Sequence, residues 1–244
     1  GVIAIQGLQK AFREPVLRGI DLTVPKGCLY GLIGPGAAGK SVLLKHVVGL
    51  MRPDKGKIFV DGHDLLQMSE LELQGFRKRF GIAFQNNALF DHLSVGENIA
   101  FPLRRLHKDM TEQEIQDRVD ERLRAVALPG MQDRSPPSLS GGQKRRVGVA
   151  RATVARPPIL IYDEPAAGLD PVSSQKIFDL LKKEKGDATV IMVSSDLDRL
   201  LTVTDRVGMM LDGKIIFDGT TEQAQNSNNE YVRQFVHGLT EGPL

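Results

Sequence analysis

The chain has 244 residues, 41% of them hydrophobic, enough to bury the core of one large domain or of a domain carrying an inserted lobe. Its 32 Lys plus Arg stand against 30 Asp plus Glu, so no overall basic field points to nucleic acid as the main partner, and phosphate has to be met locally. A single cysteine, Cys28, excludes an internal disulfide framework and a Cys-rich zinc site and suits a reducing compartment.

No window reaches the roughly 18 to 20 uninterrupted apolar residues that span a bilayer. The opening GVIAIQGL lacks a charged segment followed by an apolar one, as a secretory signal would have. Residue 1 is Gly rather than Met, so this second absence excludes little.

Along the chain, short apolar runs alternate with helical patterns, the rhythm of an α/β protein. Leu29 to Ile33 reads as a buried strand, and Lys40 to Leu50 as a helix with Val42, Leu43, Val47 and Leu50 available to one face. From about Ala88 to Ala155 the pattern is mostly helical, including a stretch with apolar Ile115, Val119, Leu123 and Val126 and a capping box of Thr111 with Glu114. This predicts a helical lobe between two strands of the core. Pro157 and Pro158 break the helical pattern before the strand Ile159 to Tyr162. Asp170 and Pro171 open a helix that Gly186 stops, and Thr189 to Val193 is a further strand. Two short apolar runs around Asp212 and Gly213 predict a hairpin. The tail from Thr221 is polar, then weakly helical.

Gly34 to Ser41 reads GPGAAGKS, a phosphate-binding loop placed after a buried strand and at a helix start, where its mechanism requires it. Backbone N–H groups of the loop formed by Gly34, Pro35, Gly36, Ala37, Ala38 and Gly39, and of the helix start, would cradle phosphates. Lys40 would neutralise β/γ charge, Ser41 would hold Mg²⁺, and Val42 continues the helix. The alternative is a Gly-rich turn that binds nothing. In ILIYDEP a buried strand delivers Asp163 and Glu164 to the carboxyl edge of a sheet, where open α/β sheets bind ligands. Asp163 would anchor Mg²⁺ through water and Glu164 would polarise the attacking water. Two carboxylates after four apolar residues need such a task to offset their desolvation.

The string LSGGQ, Leu139 to Gln143, makes the sequence resemble the ATP-binding-cassette family. Taken alone, it is a Ser-capped helix after a Gly-Gly turn. The resemblance implies a P-loop NTPase core, a mixed sheet with flanking helices, with an antiparallel β subdomain and an inserted α-helical subdomain. The implied division is one cassette domain over 1–244, with 1–87 and 156–220 as nucleotide-binding core, 88–155 as helical subdomain and 221–244 as tail. It further implies an ATPase in which Ser140, Gly141, Gly142 and Gln143 bind the γ-phosphate held by the P-loop of a second copy, so that a homodimer completes two sites through facing P-loop and LSGGQ segments. Gln85 resembles the residue that touches Mg²⁺ and the attacking water, and its alternative is a polar loop residue. Phe12 resembles the aromatic that stacks on adenine, with Val16 beside it, although the connection to Val16 and Leu17 is a residue shorter than usual; a surface or core Phe is the alternative. Asp170 in GLDP resembles the residue that contacts the opposite subunit, and it can be an N-cap as well.

Two positions depart from the family pattern. Ser195 in VSSD stands where a His contacts the γ-phosphate; it is shorter and uncharged, so transition-state stabilisation should suffer. Ala37 stands where Gly is common, which would strain the loop if φ is positive there. These keep a second class open, an ATP-binding switch with weak turnover. Soluble cassette ATPases of DNA repair or translation, with their tandem cassettes, zinc cysteines or coiled coils, do not match.

Within the family, RKRFGIAFQNNALF, LSVGENIAFPL and QFVHGLTEGPL resemble ATPases of Mla/Mce-type lipid transporters, the MlaF-like group, although importer ATPases for other substrates share much of this wording. That likeness implies a place on the cytoplasmic side of a bacterial inner membrane, an MlaE-like permease, indirectly an Mce-domain lipid-binding protein, and a C-terminal tail reaching across the dimer. Phe90, Leu93, Val95, Ile99 and Phe101 would offer an apolar docking surface to the permease, or pack within the lobe.

Overall fold

The computed structural model describes residues 3–36, 38–84 and 89–244. They form two compact units, the first of Gly1–Arg77 with Asp187–Leu244 and the second of Lys78–Gly186. The first unit begins with strands β1 (Ile3–Ala11), β2 (Pro15–Val24) and β3 (Leu29–Ile33), then helix α1 (Ala38–Val47), strands β4 (Lys55–Val60) and β5 (His63–Asp64), and helix α2 (Glu70–Phe76). The second holds β6 (Phe80–Ala83), helices α3 (Val95–Leu106), α4 (Glu112–Ala125) and α5 (Gly141–Thr153), β7 (Ile159–Asp163) and α6 (Pro171–Glu184). The chain then returns to the first unit with β8 (Thr189–Val193), α7 (Leu197–Val203), β9 (Arg206–Leu211), β10 (Lys214–Thr220), α8 (Thr221–Gln225) and α9 (Glu230–His237).

Two sheets build the first unit. In one, β1 pairs antiparallel with β2 and with β4, and β4 pairs with β5. Its strands alternate buried and exposed residues, as a half-covered antiparallel sheet demands. In the other, β3 lies parallel between β8 and β9, and β10 closes antiparallel on β9. β3 and β8 are buried at every position, the mark of strands covered on both faces. The turn between β9 and β10 has φ +48° at Asp212 and +73° at Gly213, the left-handed pair of a tight hairpin. That turn also joins the sheets, because the carbonyl of Gly213 accepts from the N–H of Arg18 in β2 (2.8 Å).

In the second unit β6 and β7 run parallel, and the helices cover them closely. A Cβ on Gly81 of β6 would lie 2.1 Å from the carbonyl oxygen of Ala152 in α5, so only glycine lets helix and strand approach this far. The apolar stripe Ile115, Val119 and Leu123 of α4 is buried, as its spacing predicts. Arg104 bridges Glu97 (3.0 Å) and Glu112 (2.7 Å), tying α3 to α4, and Arg122 pairs with Glu184 (2.5 Å), tying α4 to α6. Val95 and Ile99 are wholly buried. They belong to the packing of the helices and cannot contribute to a docking surface, whereas Phe90 keeps 37% of its surface exposed. No helix among the described residues is long and apolar enough to cross a membrane.

Candidate functional site

Strand β3 runs directly into the P-loop. At Gly34 φ is +135° and a Cβ would stand 2.0 Å from the carbonyl oxygen of Met210, so glycine is required both by conformation and by the close approach of β9. Gly36 also has positive φ, +77°. At Gly39, a Cβ would lie 3.0 Å from the Met210 Cε. Ala37 lies outside the described residues, and for Ala38 only its place at the start of α1 is described. Lys40 is buried, and its ammonium donates to the carbonyls of Gly34 (2.5 Å) and Gly36. Those two carbonyls hold the cation against the backbone of the loop. Ser41 and Val42 follow, half-buried.

A cavity of about 340 Å³ opens beside this loop, lined by Pro15, Val16, Gly36, Gly39, Lys40 and Met210 among others. Phe12 is 58% exposed and does not line it. One face of its ring lies under the Lys10 ammonium at 5.7 Å, a cation–π contact. Ser195 is exposed just beyond β8. Its neighbours are committed to local bonds: Ser194 Oγ accepts from the N–H of Asp196 (3.0 Å), and Asp196 pairs with Arg199 (2.6 Å).

The second unit carries the remaining candidates. β7 ends on Asp163, half-buried, whose Oδ1 is shielded from solvent. The next residue, Glu164, has φ +52°, a left-handed backbone that costs a non-glycine residue about 1–3 kcal/mol and persists where its surroundings enforce it. Ser140 is exposed and is the N-cap of α5. Its Oγ accepts from Gln143 N–H (3.1 Å) while Gln143 Oε1 accepts from Ser140 N–H (2.9 Å), a reciprocal capping box. Gly141 and Gly142 lie in the first turn of α5 rather than in a turn before it. Asp170 caps α6 by accepting from Ser173 N–H (2.9 Å), which holds its carboxyl below the usual range. Gln85 lies outside the described residues.

The ABC transporter family description matches residues 17–167. The chain belongs to the ABC transporter family. Among curated relatives, the probable ribonucleotide transport ATP-binding protein mkl of Mycobacterium tuberculosis is 40% identical over 99% of this chain and 68% of its own length. The intermembrane phospholipid transport system ATP-binding protein MlaF of Haemophilus influenzae is 39% identical over 92% of this chain and 86% of its own. The cassette MJ0796, solved as a dimer in a post-hydrolysis state with ADP and Pi, superposes with TM-score 0.82 and 28% identity over 90% of this chain and 98% of that one. The protein is therefore an ABC ATPase subunit that binds ATP, and its fold is the P-loop cassette with mixed α/β sheets. The family works as a dimer with a membrane permease.

Two ABC-cassette residues outside the sequence-predicted set emerge from the geometry. Asn98 is wholly buried and bonds to the backbone of Phe90, Leu93 and Ser94, just after the segment that contains Gln85. Arg145 donates to the carbonyls of Glu164 (3.4 Å) and Ala167 (3.1 Å). A polar residue on the apolar face of α3 is a readable signal for the first. Nothing local announces the second.

Proposed function

We propose that this ABC ATPase is the nucleotide-binding subunit of a bacterial lipid transporter of the Mla/Mce type, acting as a homodimer at the cytoplasmic face of the inner membrane. Its permease would be MlaE-like, with an Mce-domain lipid-binding protein as an indirect partner. The 39% identity to a phospholipid-transport ATPase over 92% of the chain supports this substrate class.

In this reading one cassette, 1–244, carries its core in 1–87 and 156–220, its helical lobe in 88–155 and its tail in 221–244. Each nucleotide lies between Lys40 of one protomer and Ser140 of the partner subunit. Gly34 to Gly39 wrap the phosphates, and Phe12 and Val16 receive the base. The serine cap carries the reading. Ser140 Oγ spends a lone pair on Gln143 N–H, which leaves the hydroxyl proton and the N–H groups of Gly141 and Gly142 for a phosphate.

Glu164 and Gln85 orient the attacking water, and Ser195 donates a single hydrogen bond to the γ-phosphate. Ser41, Gln85 and Asp163 are hard oxygen donors too few to cage a metal, which fits Mg²⁺ held jointly by protein, water and nucleotide. Such an ion supplies neutralisation of the β/γ oxygens.

Size-exclusion chromatography with light scattering tests the dimer: Glu164→Gln with ATP should run as a dimer that wild type forms only transiently. Wild-type hydrolysis by that variant would sink the base assignment. Phospholipid co-purifying with the assembled transporter tests the substrate class, and a nucleotide or amino acid in its place would favour an importer. The exposed Ser195 favours one second reading, an ATP-gated switch with weak turnover; a near-inert wild-type complex that still binds ATP would establish it.

A further inference from the structure

The backbone of Glu164 adopts a conformation it would not choose alone, and one side chain holds both ends of the turn that contains it. Glu164 follows the last residue of β7 with φ +52°. Its carbonyl accepts from the N–H of Ala167 (3.3 Å) and from Nη1 of Arg145 (3.4 Å), while Nη2 of the same guanidinium donates to the carbonyl of Ala167 (3.1 Å). Arg145 sits in the first turns of α5, five residues beyond Ser140. The start of the helix also packs on the continuation of this turn. A Cβ on Gly141 would lie 3.7 Å from Leu169 Cδ2, and one on Gly142 would lie 3.9 Å from Ser173 Oγ. The planar fork of an arginine can serve two carbonyls at once, which a lysine ammonium on a flexible stem does poorly.

We propose that Arg145 is a positioning residue for hydrolysis: its guanidinium clamps the Glu164–Ala167 turn and so fixes the direction in which the Glu164 carboxylate leaves the backbone. This rests on the reading of Glu164 as the residue that orients the attacking water. Because Ser140 and Arg145 ride on the same helix, the clamp also ties the segment that meets the partner's nucleotide to the carboxylate that serves the chain's own. Any shift of α5 on nucleotide closure is then passed to Glu164 through two hydrogen bonds.

The test is a cycle of Arg145→Met, Glu164→Gln and the double variant, with steady-state ATP hydrolysis, KM for ATP, amide hydrogen exchange and thermal melting measured on the full chain. Arg145→Met should lower kcat at least tenfold with KM within threefold, speed exchange at Ala167 and Leu169, and add nothing to the loss in the Glu164→Gln background. Arg145→Lys should fall between wild type and Arg145→Met, and it carries the same comparisons if Arg145→Met fails to fold. A kcat within twofold of wild type, or an equal further loss in the Glu164→Gln background, overturns the inference. Wild-type turnover in Glu164→Gln itself sinks the base assignment and this inference together, whereas an inactive Glu164→Gln beside a fully active Arg145→Met sinks the inference alone.

Discussion

Replacing Asn98 is expected to destabilise the second unit more than any exposed substitution. The side chain is wholly buried in α3. Its Oδ1 accepts from Phe90 N–H (2.7 Å), and its Nδ2 donates to the carbonyls of Phe90 (3.1 Å), Leu93 (3.2 Å) and Ser94 (2.9 Å). Two amide hydrogens are thus shared among three carbonyls, so the side chain supplies three bonds' worth of donors and acceptors. At about 1 kcal/mol each, plus a penalty of about 1 kcal/mol for the part-buried Phe90 N–H left without its acceptor, Asn98→Ala should cost about 4 kcal/mol. Asn98→Asp is the sharper variant. It keeps the acceptor for Phe90 but sets a carboxylate against three carbonyl oxygens, so it should cost at least as much, and the loss should shrink on acidification as the carboxyl regains a proton to donate. Urea denaturation followed by circular dichroism, at neutral pH and near pH 4, measures both. An Asn98→Asp midpoint within about 1 kcal/mol of wild type at neutral pH would refute the premise that the amide, and not mere shape, organises this segment.

Ser195→His should raise kcat by about tenfold, since a charged donor of longer reach adds roughly 1.5 kcal/mol of hydrogen bonding to the developing charge; an unchanged rate would mean that another group already fills that role. Gly81→Ala should cost more than about 3 kcal/mol in chemical denaturation, because its Cβ would enter the backbone of α5 at 2.1 Å and neither backbone can move cheaply. His46 is wholly buried in α1 and its pKa is lowered, first by burial. Its contribution to stability is therefore present above the unfolded value of about 6.5 and is lost as pH falls below it, toward the lowered folded value; His46→Gln should flatten the denaturation midpoint between pH 7 and pH 5. Ser140→Asp should keep the cap of α5 and hence the melting temperature, but put a negative charge where a phosphate is proposed to bind, so that Glu164→Gln no longer dimerises with ATP when it carries Ser140→Asp.

The parts of this cassette that were legible in the sequence are those where one residue's requirement is local. β3 and β8 follow from short, mostly apolar runs, and the Asp212–Gly213 hairpin follows from a residue pair suited to left-handed backbone. Asp170, Pro171 and Gly186 bracket α6 as their backbone preferences dictate. Thr111 accepts from Glu114 N–H (3.1 Å) as expected, but the reciprocal boxes form at Ser140 with Gln143 and at Thr220 with Gln223, where the same spacing is present with Gln in place of Glu. Contacts between distant segments were not legible. Val95 and Ile99 read equally well as a docking surface or as packing, because periodicity marks the apolar face of a helix without saying what covers it. The Arg145 clamp joins residues 19 and 22 positions apart, and the left-handed Glu164 it holds is invisible to any propensity scale.

The charges at the helix starts carry the functional reading further than any single motif. A helix N-terminus bears about half a positive charge and is ordinarily complemented by an acid in the cap or first turn. Seven of the described α-helices follow that rule, with Glu70, Glu97, Glu112, Asp170, Asp196, Glu222 and Glu230 among their complements. Helices α1 and α5 do not: neither has an acid in its first turn, the residue before α1 is Ala37, and the cap of α5 is neutral Ser140. These two starts are also the ones rich in glycine, so bound phosphate could approach their N–H groups without a side chain in the way. An acid at either start would add local stability, but it would repel the phosphate that the P-loop of one protomer and the Ser140 segment of its partner are proposed to share. The missing acids are what the proposed shared anion site requires of both its halves, and they let a chain so evenly charged overall meet a polyphosphate through local backbone N–H groups.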